Sequence, residues 1–407
     1  MSAFWAVLGV AVLGVGLLDV FLTALNYDEA GFLATRLCRL QWCAFRGLTR
    51  RLSQRWRPVA LRQVMGLSLV LNMTVWLGAV IVGFGLVYFS QMHGANFDYA
   101  GRDLRNGPFA AMYYSAAQLS TVGTGQISPQ TDGLRALSIA ETMAGLGLVT
   151  LILSFLFGVY QVVRDLRTLS SSFAAGDEAV ADPIASLAPY LAHGELDCLD
   201  NHLRAIAVSF WSYADGLRQH HVAYYFQSGR DQFALPYILH MLGHWLAALQ
   251  WGLPRGHPAA GQPLLVQLSA QFERFADQLQ GDLRWAADPA PHAVPFECFA
   301  EIRCADEHAT NLWLGRFFRL EREMARVAGL DAVPDPRDAY ERYRKWLPFA
   351  HRAEQMTAAV SQDLDYRPLL QTDRLGYLHS QHCDGEQGQT PARTDKRSRL
   401  GSGQIRG

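Results

Sequence analysis

A ten-residue stretch from Ser120 to Pro129 reads STVGTGQISP and combines two glycines with two threonines. Glycine adopts positive φ without strain, so alternating glycine with β-branched residues can turn successive backbone carbonyls toward the same side. A row of carbonyl oxygens that faces one axis can replace the water around a dehydrated cation. The stretch is therefore a candidate cation site made of backbone oxygens, and the neighbouring elements must hold it in place for that role.

Three apolar segments are each long enough to cross a bilayer, which takes about 20 helical residues. They run from Ala3 to Leu25, from Val64 to Phe89 and from Ala136 to Val163, and their only charged residues are Asp19 and Glu141. The 407-residue chain is 50% hydrophobic and 18% charged, and its apolar excess lies before residue 165. We expect an all-α membrane protein whose first apolar segment is a retained span rather than a cleaved signal peptide.

A shorter apolar stretch lies between the second and third segments. Gly107 and Pro108 are typical of a helix start, and the stretch from Phe109 to Leu119 then allows about three turns, too few to span a bilayer. The stretch leads directly into the glycine-bearing loop, and Pro129 ends any helix before the third segment. Non-helical backbone at membrane depth is tolerated only where protein or water covers it. The order of these elements therefore predicts a re-entrant pore helix and loop.

From Ala110 to Gly147 the chain resembles the potassium channel superfamily, in its bacterial form with a single pore loop. The segment reads AAMYYSAAQLSTVGTGQISPQTDGLRALSIAETMAGLG. Thr121, Val122, Gly123 and Gly125 match four of the five positions of the TVGYG-type filter of that family, and Thr124 occupies the fifth. The resemblance implies a homotetramer in a lipid bilayer, in which filter carbonyls bind permeant K+. No other metal and no cofactor are expected, and no enzymatic activity is expected because no nucleophile–base or acid pair in the second half of the chain has a recognisable spacing.

The resemblance also implies roles for residues around the filter. Gly145 falls at the gating-hinge position, and Tyr113 and Tyr114 lie where pore-helix aromatics support the filter. Thr124 stands where the family has a tyrosine or phenylalanine ring, and Gln126 stands where an acidic residue is common. A passive potassium-selective channel is the main expectation. A weakly selective monovalent cation channel is the alternative, because a threonine cannot fill the volume of a ring.

Four polar side chains inside the apolar segments need partners there. Glu141 is predicted to support the filter from behind by bonding the pore helix or loop and tuning gating; the alternative is a protonated residue without effect on conduction. Asp19 is predicted to pair with an arginine of the following loop. Asn72 and Thr74 are predicted to make helix–helix hydrogen bonds.

The loop between the first two segments is strongly basic. Its arginines are Arg36, Arg39, Arg46, Arg50, Arg51, Arg55, Arg57 and Arg62. The positive-inside rule predicts that this loop is cytoplasmic. In the inner membrane, the N-terminus would then lie outside and the C-terminal half in the cytoplasm. The stretch from Phe32 to Trp56 mixes arginine with apolar residues and predicts a helix on the inner interface. The net charge of -1 gives no support to a nucleic-acid partner.

The chain is thus divided into four parts: residues 1–63 with the first span and interfacial helix, a pore domain at 64–168, a helical cytoplasmic domain at 183–370 and a disordered tail at 373–407. Prolines including Pro348 are expected to separate the cytoplasmic helices.

His240 and His244 have a spacing that can bind metal, but no third ligand is indicated. The ligand or protein partner of this domain stays open. A non-conducting membrane anchor for a helical signalling or scaffold domain is the second alternative.

Overall fold

The computed structural model describes residues 2–25, 32–52, 56–92, 96–100, 107–173, 182–191, 196–305, 311–330 and 335–366. Most of these residues are helical, and the predicted all-α membrane fold is confirmed. The first five helices are α1 (Ser2–Leu25), α2 (Phe32–Thr49), α3 (Arg57–Gln91), α4 (Pro108–Leu119) and α5 (Asp132–Ser171). The predicted tail at 373–407 lies outside the described residues.

Three of these helices, α1, α3 and α5, are long and apolar enough to cross a membrane, as predicted. The helices α3 and α5 extend several residues beyond the apolar segments from which they were predicted. The 40 residues of α5 extend for about 60 Å, roughly twice the thickness of the hydrocarbon core. One end of α5 must therefore continue beyond the bilayer.

Small residues bring α1 and α3 close together. A Cβ added to Gly9 would lie 2.7 Å from the carbonyl oxygen of Gly83, so the two backbones meet there almost directly. Farther along the pair, the Trp76 indole donates a 2.9 Å hydrogen bond to Asp19 Oδ2. The sequence predicts an arginine partner for Asp19; the structure shows that a tryptophan of the adjacent span bonds its carboxylate.

The amphipathic helix α2 packs against α3 through polar contacts. Gln41 Nε2 donates to Asn72 Oδ1 over 3.0 Å, and Asn72 Nδ2 donates to Cys38 Sγ over 3.1 Å. The predicted helix–helix hydrogen bond is therefore confirmed for Asn72. It is wrong for Thr74, whose hydroxyl donates to the Val70 carbonyl of its own helix over 2.8 Å.

A two-stranded sheet lies outside the spans, where the sequence predicts no strand. Strands β1 (Phe97–Tyr99) and β2 (Ile127–Pro129) are antiparallel and pair Asp98 with Ser128 at their centre. Three residues per strand are too few for a recognisable alternation of apolar and polar positions. The sheet ties the loop after α3 to the segment that follows the glycine-bearing stretch.

The second half of the chain is a helical domain. Its helices are α6 (Ala188–Leu191), α7 (Leu196–Gln219), α8 (Leu235–Ala247), α9 (Pro263–Leu283), α10 (Phe296–Ala305), α11 (Leu312–Val327) and α12 (Pro336–Asp363). Short 3₁₀ turns lie at Ala185–Leu187, His221–Tyr225, Asp231–Phe233 and Pro258–Gly261, and a π turn at Ala248–Gly252. The expectation that Pro348 separates two helices is wrong, since it lies inside α12. Its flanking residues, Leu347 and Phe349, are buried, so tertiary packing holds the helix together despite the missing N–H.

The C-terminal end of α12 docks on the membrane half of the chain. Trp42 Nε1 donates to the Asp363 carbonyl over 3.1 Å, and Arg46 Nη2 donates to the Gln362 carbonyl over 2.8 Å. These bonds satisfy carbonyls that the end of a helix leaves without intrahelical partners. Directly beyond them, the buried guanidinium of Arg57 pairs with the Asp365 carboxylate. The helix α2 is therefore a bridge between the spans and the helical domain.

The C-terminal end of α5 also packs closely against the helical domain, along α7. A Cβ on Gly216 would lie 2.6 Å from Val162 Cγ2. A Cβ on Gly158 would lie 2.2 Å from Nε2 of His220, whose ring packs edge-on against Phe155. The helical domain therefore packs directly against the C-terminal end of α5.

We predict that Asp365→Asn destabilises the protein, because it leaves the Arg57 guanidinium buried without its charged partner. Breaking a buried pair costs about 3–5 kcal/mol, so the apparent melting temperature should fall by about 5 °C or more. The matched control is Asp200→Asn, which removes an exposed pair with Arg204 and should change the melting temperature little. Equal melting temperatures for the two variants at one scan rate would contradict the importance of this pair.

Candidate ion-binding site

The short helix α4 begins as the sequence predicts. Gly107 has an extended backbone, with φ -155° and ψ 167°, and Pro108 occupies the first turn. Gly85 of α3 lets α4 approach, because a Cβ there would lie 2.5 Å from Met112 Sδ. Buried residues of α4 include Ala111 and Ser115. The helix is therefore fixed within the membrane half, and its last turn delivers the chain into the loop.

The loop after α4 has positive φ at every second residue. The values are 62° at Thr121, 72° at Gly123 and 56° at Gly125, whereas Val122 and Thr124 do not have positive φ. Glycine adopts this region freely, but a β-branched residue such as Thr121 adopts it only under strain. Such strain persists only where the surrounding structure enforces it, and it is common at functional sites.

Hydrogen bonds to the last turn of α4 set the direction of the loop backbone. The N–H groups of Val122 and Gly123 both donate to the Ala117 carbonyl, over 3.1 Å each. In a trans peptide the C=O points opposite to the N–H of the same unit. The carbonyls of Thr121 and Val122 therefore point away from α4. This is the arrangement that a row of cation-binding oxygens requires.

The loop is open to its surroundings within one chain. The Val122 side chain is 81% exposed, and Thr121, Gly123 and Gly125 are exposed as well. An uncovered loop at membrane depth is too costly to persist in lipid, so other protein or water must cover it. The single chain therefore presents an incomplete site.

The side chain of Thr124 holds the C-terminal end of the loop. Its hydroxyl donates to the Ile127 carbonyl over 3.1 Å, and the Ile127 N–H lies 3.4 Å from the same oxygen. The neighbouring Gln126 carbonyl accepts a 2.8 Å hydrogen bond from Ala100 N. The threonine and the small sheet therefore hold this end of the loop by hydrogen bonds. An aromatic side chain at the position of Thr124 would hold it by packing instead. The sequence carried no signal for the sheet, so this contribution was missed.

The two tyrosines of α4 have different surroundings. Tyr114 is buried, donates to Ser138 Oγ over 3.1 Å, and packs edge-on against Tyr88 and Phe97 at centroid distances of 4.9 and 5.6 Å. It therefore joins α4 to α3, α5 and β1. Tyr113 is 42% exposed, on the part of α4 that faces away from the rest of its own chain.

Glu141 is buried completely behind α4. The Ser115 hydroxyl lies 2.5 Å from Glu141 Oε1 and 3.0 Å from the Ile81 carbonyl. This contact with the pore helix is the geometry that the first of the two sequence interpretations requires. The hydroxyl of Tyr88 faces the same carboxyl group, and neither it nor Glu141 Oε2 has a well-aligned hydrogen-bond partner within the described part of the chain.

Gly145 is the point of closest approach between α5 and the end of α4. A Cβ at this position would lie 2.4 Å from the Leu119 carbonyl oxygen. One turn earlier, the Thr142 hydroxyl lies 3.3 Å from the Gln118 carbonyl. The helix α5 runs through Gly145 without interruption. The structure therefore explains the glycine by close packing, and its role as a gating hinge stays a prediction.

His240 and His244 lie together in α8, with their ring centroids 4.1 Å apart. Burial, followed by the effect of His244, lowers the pKa of His240 well below its usual value, so this imidazole is neutral. Over the described ranges, no group of three or more histidine, cysteine or acidic residues is placed to hold a metal ion.

A short helix that enters between two spans and leads into a strained, carbonyl-presenting loop defines a pore region. Residues 75–161 match a family model described as an ion channel. The match covers the pore region described above, and it confirms the resemblance to the potassium channel superfamily. The family comprises membrane-embedded channels rather than enzymes. No curated protein and no solved structure matches the chain.

We predict that Gly145→Ala impairs ion flux, because the new methyl group collides with the Leu119 carbonyl and displaces the last turn of α4. Overpacking costs about 1–3 kcal/mol, so a tenfold loss of flux is the expected scale. The matched control is Gly147→Ala, since a Cβ there meets nothing within 4 Å. Equal flux through both variants in liposomes would show that this contact does not hold the pore loop.

Proposed function

We propose that the protein is a passive potassium-selective channel of the inner membrane. The observation that carries the proposal is the orientation of the Thr121 and Val122 carbonyls, which the bonds to Ala117 turn away from α4. With Gly123, Thr124 and Gly125, and with the Thr121 hydroxyl, they would replace the water around K+. The permeant ion is the only ligand that this mechanism needs. The partial negative charge at the end of α4 would favour a cation below the loop.

The proposed assembly is a homotetramer, with one loop from each chain around a common axis. The exposure of the loop supports this assembly, and so does an apolar stripe along α5 that its own chain leaves exposed. The stripe comprises Ile139, Met143, Leu146, Val149, Leu153, Phe157 and Tyr160. Spacings of three and four residues place these side chains on one side of the helix. Neighbouring chains and the pore would cover this stripe together with the loop.

The proposed orientation has the N-terminus outside and the helical domain at 183–370 in the cytoplasm. The basic character of α2 and of the segment around Arg57 supports this orientation, because both lie at the end of the spans that meets the helical domain. In this arrangement Tyr113, Tyr114 and Glu141 support the filter through α4, and Gly145 lies where the inner helix would bend.

A weakly selective cation channel is the second candidate, and the side chain of Thr124 favours it. The threonine bonds Ile127 but leaves no ring between the loop and α4. Without a packed ring, the width of the loop would depend on hydrogen bonds at its outer end alone. A non-conducting anchor is the third candidate, and ion flux separates it from both channels.

The test is flux from liposomes that hold the purified full-length protein, with potassium and sodium gradients compared side by side. Potassium flux far above sodium flux is expected. Equal fluxes would identify the weakly selective channel. The matched variant is Gly123→Ala, which strains a residue whose φ is 72° and should abolish flux in an intact tetramer. Flux unchanged by Gly123→Ala, or no flux through an intact wild-type tetramer, would contradict the proposal.

We predict that Thr124→Tyr raises the preference for potassium over sodium, because a ring packed against α4 would hold the loop at a fixed width. A threefold gain in the permeability ratio is the expected scale, equivalent to about 0.7 kcal/mol. Thr124→Ser is the control, since it keeps the hydroxyl that bonds Ile127 and adds no ring. An unchanged or lower ratio for Thr124→Tyr, measured from reversal potentials, would show that the missing ring does not limit selectivity.

A further inference from the structure

The helical domain contains a cavity of about 270 Å³ between α8, α11 and α12. Apolar side chains form much of its wall, among them Leu239, Ala350, Trp313 and Trp346. This volume is near the lower end of the range for small-molecule sites, which combine apolar walls with a few placed polar groups. The cavity lies in the helical domain and is not part of the proposed ion pathway.

An ion pair is exposed on the cavity wall. Arg316 Nη1 lies 2.6 Å from Glu354 Oε2, and the two side chains are 20% and 38% exposed. The guanidinium also lies over the Trp313 ring, 4.8 Å from its centroid, which fixes its plane. Both signs of charge are therefore presented side by side, next to an apolar surface.

The rest of the wall does not favour one sign of ligand charge. Arg319 is the second arginine in the lining, and Glu323 is the second glutamate. The third carboxylate, Asp182, accepts hydrogen bonds from two backbone N–H groups just after it in the chain, so two arginines and two glutamates remain. Burial keeps the pKa of His240 well below its usual value, so this imidazole adds no positive charge. A ligand with a net charge would leave part of this balanced set uncompensated in a partly buried site. A neutral ligand that carries one positive and one negative charge would leave none of it uncompensated.

We propose that this cavity binds a small zwitterion with an apolar body, of the class of the apolar α-amino acids. The ammonium and carboxylate of such a molecule are attached to the same carbon, so the two charges lie side by side, as do the charges of the Arg316–Glu354 pair. Its carboxylate would lie against Arg316 and its ammonium against Glu354, so that the four charges neutralise one another. Its side chain would fill the space between Leu239, Trp346 and Ala350.

Two features link the cavity to α5, one in the order of the chain and one in ring packing. Asp182, Pro183 and Ile184, which follow the end of α5 in the chain, form part of its wall. The α8 helix, which carries His240, also carries Trp245, whose ring packs edge-on against Phe173 just beyond α5 at 5.4 Å. A bound zwitterion would therefore stabilise one position of Asp182–Ile184 and of α8, which contacts Phe173 next to α5. This coupling rests on the proposed channel function, whereas binding itself does not.

The test is isothermal titration calorimetry on the full-length protein in detergent with three probes of similar shape. They are L-phenylalanine, 3-phenylpropanoate, which lacks the ammonium, and 2-phenylethylamine, which lacks the carboxylate. L-phenylalanine should bind, and each probe with a single charge should bind at least about tenfold more weakly. Absence of binding by L-phenylalanine, or equal binding by either of the others, would overturn the proposal without the need for any variant.

Variants localise the site. Arg316→Gln and Glu354→Gln should each weaken binding of L-phenylalanine at least about tenfold, and Ala350→Phe should abolish it by filling the cavity while keeping the ion pair. The matched controls are Arg344→Gln and Glu341→Gln, which remove an exposed pair elsewhere on α12. Binding that survives Ala350→Phe in a protein with an unchanged melting temperature would place the ligand elsewhere and overturn the assignment.

Flux measured with and without L-phenylalanine separates this inference from the channel function. Binding by calorimetry without any ion flux would contradict the channel and leave the site standing. Ion flux without binding of L-phenylalanine would contradict the site and leave the channel function standing. Binding that leaves flux unchanged would overturn the coupling through Asp182–Ile184 and Phe173.

Discussion

The two hydrogen bonds that the Ala117 carbonyl accepts determine what the pore loop can do. They fix the N–H groups of Val122 and Gly123 against the last turn of α4, and so they turn the carbonyls of Thr121 and Val122 the other way. The positive φ of Thr121 is the local strain that accompanies this geometry. If the end of α4 moved, the loop would lose the groups that orient it.

Several elements serve to hold α4 in place. On one side Gly85 of α3 admits the Met112 side chain, and on the other Gly145 of α5 admits the Leu119 carbonyl. Polar contacts within the membrane add direction to this packing, with Ser115 placed between Ile81 and Glu141. The helical domain reaches the same assembly from the other end of α5, where His220 lies against Gly158. A rearrangement of the domain therefore has a direct physical route to the helix that supports the pore.

Much of the membrane half could be predicted from the sequence, because the bilayer imposes simple rules on length and polarity. The three spans, the start of α4 and the placement of the loop follow from apolar length, Pro108 and the glycines. The small sheet could not be predicted, since strands of three residues leave no pattern. The hydrogen bond from Trp76 to Asp19 was also missed, because a charge-pairing rule cannot identify an indole on another helix.

Less of the helical domain could be predicted. Amphipathic periodicity indicates helices, but it does not say how they pack, and Pro348 was expected to break a helix that the buried Leu347 and Phe349 hold together. The cavity beside Arg316 depends on how α8 packs against α11 and α12, which lie well beyond it in the chain. Sequence spacing drew attention to His240 and His244 as a metal pair, whereas the structure places them in the wall of that cavity.

The most direct test of the central claim is to locate the ions themselves. The full-length protein would be crystallised with rubidium in place of potassium, and anomalous scattering would show where the ions lie. A four-fold assembly is expected, with ion density on its axis, level with the carbonyls of Thr121, Val122, Gly123 and Thr124. An assembly in which these carbonyls do not face a common axis, or ordered loops with no ion between them, would contradict it.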